Sequence, residues 1–421
     1  MPQQFPQIEI HPIKEKLPRD TSQSIDVLVR IKSPKSETSQ QVERPKVNLS
    51  LVIDRSGSMG GRKMPEAIAA ACFCIDELKD DDHVSVVAFD NVVQVLSPAQ
   101  RASEKRSIKE RIQGLYPRGG TALHEGWVIG GLEAAKFQDP KAVNRVLLIT
   151  DGEANVGIVH PTELAQQTGQ LSERGISTST IGIGRDFNED LLIRMADAGS
   201  GNTWHVVEPD DMRKIFETEL NGLVSQFGHS GRISMKVPAG VRSVTCLNEF
   251  ERDIDGSYKI PNLTSANDLD IVFRFEVDPI PSSQSFGLGE FKMKYVDQQT
   301  NNPVEMSKTI EIAFVDPIEA SETLINPITR EAITLIEVAR ERARMMERID
   351  RGDFEGAEGY LRGSIDQMRS MASMHPSAYM DDELMSLEDE LGDLMRDNPE
   401  LARKKMAFRR RNRSFGKFGN L

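Results

Sequence analysis

Between residues 46 and 227, short and almost wholly apolar runs alternate with longer segments whose apolar positions recur every three or four residues. The runs 47–53, 84–89, 145–150, 176–182 and 203–207 predict strands; 63–78, 102–112, 122–136, 161–173, 188–197 and 210–226 predict helices. Alternation of this kind builds a doubly wound, mostly parallel α/β sheet with helices on both faces. The exception is 92–96, which follows 84–89 across Asp90-Asn91 and predicts a hairpin with one antiparallel edge strand. Pro209-Asp210-Asp211 reads as the amino-terminal cap of the last helix.

The pattern changes on either side. From 228 to 316 the period drops to two, as in Ile233–Val237, Leu269–Val277 and Ile310–Val315, which predicts a small antiparallel β-sandwich. Gln7–His11 and Ser24–Ile31 carry the same period, and two strands alone are marginal in water. The expectation is therefore that the α/β domain, 46–227, is inserted in a split β-sandwich built from 1–45 and 228–316. Gly228-His-Ser-Gly231 reads as a hinge-like linker between the two. Residues 317–400 predict a helical region, with helices at Ile328–Ile349, Phe354–Met371 and Asp381–Met395, and 401–421 a basic tail.

Composition adds limits. A chain of 421 residues exceeds what one core supports, and 38% hydrophobic with 28% charged residues is the balance of a soluble globular protein. No run approaches the ~18 apolar residues of a membrane span. The start, Met1-Pro-Gln-Gln-Phe, lacks a basic stretch followed by an apolar core, so a cytoplasmic product is expected. Cys72, Cys74 and Cys246 fit no redox or zinc spacing and read as buried thiols. Net charge is −13, yet Arg403–Leu421 holds only basic charges, interleaved with Phe408, Phe415 and Phe418. Such a tail can touch nucleic acid or an anionic surface, or latch onto the chain's own acidic surface.

The candidate chemistry lies at the end of the first strand of the α/β domain. Asp54-Arg-Ser56-Gly-Ser58 offers a carboxylate and two hydroxyls, hard oxygens that suit Mg²⁺, Mn²⁺ or Ca²⁺ rather than zinc. Alone, this spacing is also that of an ordinary turn. Two further segments add donors: Thr121 after Gly119-Gly120, and Asp151 at the end of strand 145–150. Strand ends gather at one edge of an open parallel sheet, where ligands bind, so Asp54, Ser56, Ser58, Thr121 and Asp151 can meet there.

With these residues the segment 46–227 resembles the von Willebrand factor type A family, and the five match its metal-ion-dependent adhesion site one for one. The resemblance implies that the Ser and Thr oxygens touch the metal, that the acids bind it directly or through water, and that one position is left for a carboxylate of a partner protein. It implies a binding module rather than an enzyme, and a terminal helix that can shift when ligand binds. The insertion in a split β-sandwich resembles bacterial family members and the inter-alpha-trypsin inhibitor heavy-chain type. Two other readings stand beside the adaptor: a metal-dependent hydrolase of phosphatase type, and a metal-independent scaffold acting through the helical end. Nucleotide chemistry fits poorly, because Gly57–Met64 would need Gly at Arg62 and a hydroxyl after Lys63 to cradle phosphate. Ile181–Phe187 has Phe where a dinucleotide loop wants its third glycine. His124 reads as a helix-face residue beside the metal site.

Overall fold

The structure is a computed structural model that describes residues 6–34, 44–152, 154–184, 187–207, 212–265, 267–281, 283–374 and 376–416. The expected cap at Pro209–Asp211 lies outside them. Among the described residues no helix is long and apolar enough to cross a membrane. Two compact units divide the chain, one of residues 40–227 with 297–302 and the other of the remainder.

Three strands come first, β1 (Gln7–Pro12), β2 (Lys16–Pro18) and β3 (Gln23–Lys32). The α/β unit follows: β4 (Val47–Asp54), α1 (Lys63–Glu77), β5 (His83–Phe89), β6 (Val93–Arg101), α2 (Lys105–Gln113) and α3 (Leu123–Ala135). It is completed by β7 (Val143–Thr150), α4 (Pro161–Glu173), β8 (Ser177–Ile183), α5 (Glu189–Ala198), β9 (Thr203–Val206) and α6 (Met212–Val224). Its sheet runs β6-β5-β4-β7-β8-β9, parallel except for the β5–β6 hairpin. Every residue of β4 and β7 is buried, as strands covered by helices on both faces require. From β4 the chain goes to β5 on one side and, later, to β7 on the other, so the crevice of the topological switch opens at the carboxyl end of β4. α3 lies hard against this point: a Cβ on Gly126 would sit 2.6 Å from the Phe89 ring, and one on Gly130 2.3 Å from Val52 Cγ2.

The other unit uses β10 (Gln226–Lys236), β11 (Val241–Cys246), β12 (Tyr258–Lys259), β13 (Leu263–Thr264), β14 (Leu269–Val277), β15 (Gln284–Asp297) and β16 (Pro303–Val315). One sheet is ordered β1-β3-β14-β11, the other β12-β10-β15-β16-β2. β3 pairs with β14 along its length, from Ile31 opposite Leu269 to Gln23 opposite Val277, so strands from either side of the α/β unit are neighbours. Phe273 and Phe275 of one sheet meet Phe291 of the other, with ring centroids 5.1 and 6.3 Å apart. The linker expected at Gly228–Gly231 is corrected: both glycines lie inside strand β10. They are small because the space is taken, a Cβ at 228 falling 2.6 Å from Tyr295 and one at 231 falling 2.5 Å from Ile260.

Helices α7 (Pro317–Ser321), α8 (Pro327–Asp350), α9 (Phe354–Met374), α10 (Ala378–Met395) and α11 (Pro399–Ser414) complete this unit. The apolar stripe of α8, through Ala332, Ile333, Leu335 and Ile336, packs on Leu28 and Val272. The basic tail fits the latch reading. Its described part is α11, and its charges are spent inside the chain: Arg403 on Asp350, Lys405 on Asp389 and Asp393, Arg410 on Glu249, and Arg413 on Glu383 and Asp382. Arg413 is buried, as is Arg342 of α8, which binds both Glu383 and Glu390. Cations paired this way are engaged within the chain, and among the described residues nothing supports the nucleic-acid reading. Lys417 and Phe418 lie outside the described residues.

Candidate metal centre

The five donor residues come from three loops at the carboxyl edge of the sheet. Asp54 ends β4, Ser56 and Ser58 sit on the turn that follows, Thr121 precedes α3, and Asp151 follows β7. Buried Met59 pins the turn from below. Asp54 Oδ1 accepts from Ser56 N at 2.7 Å and Oδ2 from Thr150 Oγ1 at 2.5 Å. The Ser56 and Ser58 hydroxyls lie 2.9 Å apart, and Ser58 Oγ donates to Asp151 Oδ1 at 2.8 Å. A Cβ on Gly152 would stand 3.3 Å from Ser58 Oγ, 3.5 Å from Thr121 Oγ1 and 3.9 Å from Asp54 Oδ2, so oxygens from two of the loops converge beside this glycine of the third.

A layer of backbone bonds and charges holds the loops together. Gly57 N donates to Gly119 O at 3.1 Å and Arg118 N to Arg55 O at 2.7 Å. Gly119, at φ +68, makes the turn a side chain would strain. Thr121 exchanges bonds with Asn155, its N donating to Oδ1 at 2.9 Å and its O accepting from Asn155 N at 3.3 Å. Beneath them Asp90 Oδ2 accepts from Arg55 Nε at 2.9 Å and Arg118 Nε at 2.7 Å. Burial acts to raise the Asp90 carboxyl, but the bonds from Arg118 and Val92 N and the two guanidinium charges prevail and hold it below the usual carboxylate range. Asp54 shows the reverse. Burial pushes its carboxyl up to about 6 against the bonds from Thr150 and Ser56, and the charge of Asp151 adds to the rise.

The donor set fits a hard divalent ion. It comprises two buried carboxylates and three hydroxyls, with Thr121 3% exposed and Ser58 open to solvent. Among the described residues no cluster of three or more His, Cys, Asp or Glu is placed to hold a metal, so soft or imidazole-rich coordination has no counterpart here. His124 turns to Gln167, 2.8 Å away.

The family model for the von Willebrand factor type A domain matches residues 48–218. Residues 48–218 are a von Willebrand factor type A domain. The chain is 30% identical to YfbK of Escherichia coli (strain K12) over 202 residues, 48% of this chain and 34% of that protein. Over 162 residues it is 30% identical to inter-alpha-trypsin inhibitor heavy chain H2 of Mus musculus, 37% of this chain and 17% of that one. The chain thus spans well under half the length of these curated relatives. Two solved structures share the fold over nearly the whole chain. A von Willebrand factor type A protein from Catenulispora acidiphila superposes with a TM-score of 0.71 at 19% identity, covering 94% of this chain and 96% of that one. The ArnB paralog VWA2 from Sulfolobus acidocaldarius gives 0.62 at 15% identity, covering 97% and 99%.

Three residues of the type A domain's site escape the sequence pattern: Thr150, Asp90 and Lys63. Thr150 stands beside Asp151 at the strand end and hydrogen-bonds the acid of another strand, a partnership only the sheet creates. Asp90 is visible in sequence as a hairpin residue, and its role as the anchor of Arg55 and Arg118 is not. Lys63 is visible as a cation at the start of a helix, where cations are disfavoured.

Proposed function

We propose that the type A domain binds one divalent cation through Asp54, Ser56, Ser58, Thr121 and Asp151, and uses it to capture an acidic side chain of a partner protein. Mg²⁺ is the expected ion, with Mn²⁺ and Ca²⁺ as chemically similar alternatives. The observation that supports this reading is the convergence of Asp54 Oδ2, Ser58 Oγ and Thr121 Oγ1 beside Gly152. The two carboxylates balance the double charge of the ion. A ligand carboxylate arriving from the open Ser58 side then meets a metal whose own field is strong. The domain acts as an interaction module and not as an enzyme; the protein around it works as an adaptor.

The test is isothermal titration of Mg²⁺ and Mn²⁺ into metal-stripped wild type and Asp54→Ala, with circular dichroism as the control for folding. Saturable one-site binding by the wild type, lost in the variant while the fold is kept, supports the site. Equal binding by both proteins refutes it.

A further inference from the structure

Lys63 opens α1 directly after the metal loop. A cation there faces the positive end of the helix dipole, so another contact has to hold it. Its Nζ lies 2.6 Å from Asp151 Oδ2, while the other oxygen of the same carboxylate accepts from Ser58. Asp151 is 0% exposed at its side chain and Lys63 23%, so the lysine covers the Asp151 carboxylate on one side of the site while Ser58 stays open on another. Gly184, just after β8, leaves space for Lys63. Gly184 has φ +77, and a Cβ there would stand 3.2 Å from Lys63 Cε and 3.5 Å from Nζ. The second glycine of Gly182-Ile-Gly184 thus makes room for the lysine head, and the first for the Phe187 ring, 2.4 Å from a Cβ.

We propose that Lys63 is a built-in counter-cation of the site, which pairs with Asp151 and competes with the divalent ion for it. Lys63 thereby sets the ion concentration at which the site loads. The proposal rests on the metal reading above. Two buried acids without a metal need a positive charge, and Lys63 supplies it; the same charge opposes entry of a second cation. Removing it has effects of opposite sign, which a merely structural lysine would not produce. The metal-free protein loses stability, and the ion binds more tightly.

The experiment uses metal-stripped wild type, Lys63→Met and Lys63→Arg, titrated with Mg²⁺ and Mn²⁺ and melted with and without saturating Mg²⁺. Lys63→Met should bind at least about tenfold more tightly, since a unit charge close to the ion is gone. It should melt lower than wild type without metal and recover with Mg²⁺, while Lys63→Arg stays close to wild type. Metal binding by Lys63→Met but not by wild type supports the proposal in its strongest form. Equal or weaker binding by Lys63→Met, with the wild type binding, overturns the proposal and leaves the metal site standing. Binding by none of the proteins overturns both. If Lys63→Met does not fold, Lys63→Gln carries the same test, keeping a donor toward Asp151 without the charge.

Discussion

Replacing Glu219 by Gln tests whether α6 is anchored by charge. Glu219 sits on α6 with 1% exposure, under the sheet rather than in solvent. Its carboxylate accepts from Ser179 Oγ at 2.6 Å, Asn202 Nδ2 at 2.8 Å and Trp204 Nε1 at 2.9 Å, and faces Arg145 Nη1 at 3.5 Å. Every neighbour is therefore a donor or a cation. The Gln amide group has to point at one pair of donors or the other, and Arg145, itself buried, loses its counter-charge. Removing one member of a buried ion pair costs about 3–5 kcal/mol, and the shape-conserving Gln belongs at the lower end, near ~3 kcal/mol. For a domain of this size that lowers the melting temperature by roughly 6–12 °C. Scanning calorimetry on the full chain, following the type A transition, reads this directly.

The pH dependence supplies the sign. Burial acts to raise the Glu219 carboxyl, and the Arg145 charge with the bonds from Ser179, Asn202 and Trp204 outweighs it, so the group titrates below the usual glutamate range when folded. Its stabilisation is complete above the unfolded value and is lost as pH falls through the folded one. The gap between wild type and Glu219→Gln should hold from neutral pH down to the unfolded glutamate value, about pH 4.3, and close as pH falls through the lower folded value. A loss under ~2 °C at neutral pH, or a gap that persists unchanged into acid, would refute the argument. A tightly held α6 also bears on the expected ligand-driven shift of this helix, which would have to drag a buried carboxylate away from its donors.

Two other predictions concern the site and the carboxyl-terminal helix. Gly152→Ala places a methyl among Ser58, Thr121 and Asp54, within 3.3 to 3.9 Å of their oxygens, and should weaken Mg²⁺ binding at least about tenfold with little change in melting temperature; titration beside calorimetry separates the two effects. Arg413→Met removes the partner of buried Glu383 and of Asp382, and should cost about 3–5 kcal/mol and expose α11 to limited proteolysis, with a wild-type cleavage pattern counting against the ion cluster as the lock.

The α/β domain was legible along the chain because its strands are buried on both faces and its helices on one. β4 and β7 read as continuous apolar runs, and the residues that end them, Asp54 and Asp151, stand out as acids after such runs. Glycines were read less well. Gly228 and Gly231 suggest a hinge when only backbone freedom is considered, yet they are small because Tyr295 and Ile260 fill the space, and those contacts come from distant strands. The basic run left a free tail and an internal latch both open for a similar reason. Arg409–Arg413 reads either way until Asp382 and Glu383 of α10 and Glu249 are placed opposite it, and no local rule says that Glu383 will be buried between Arg342 and Arg413.

The sequence by itself determined the period of each element, the order of strands and helices in the type A domain, and the chemical type of its donors, because these depend on neighbours a few residues apart. Only the tertiary structure decided which atoms meet. It set β3 beside β14, brought Thr121 to Ser58 and Asp54, and laid Lys63 on Asp151. Those contacts join residues far apart in the chain, and their geometry follows from how the helices close on the sheet rather than from any short stretch of residues.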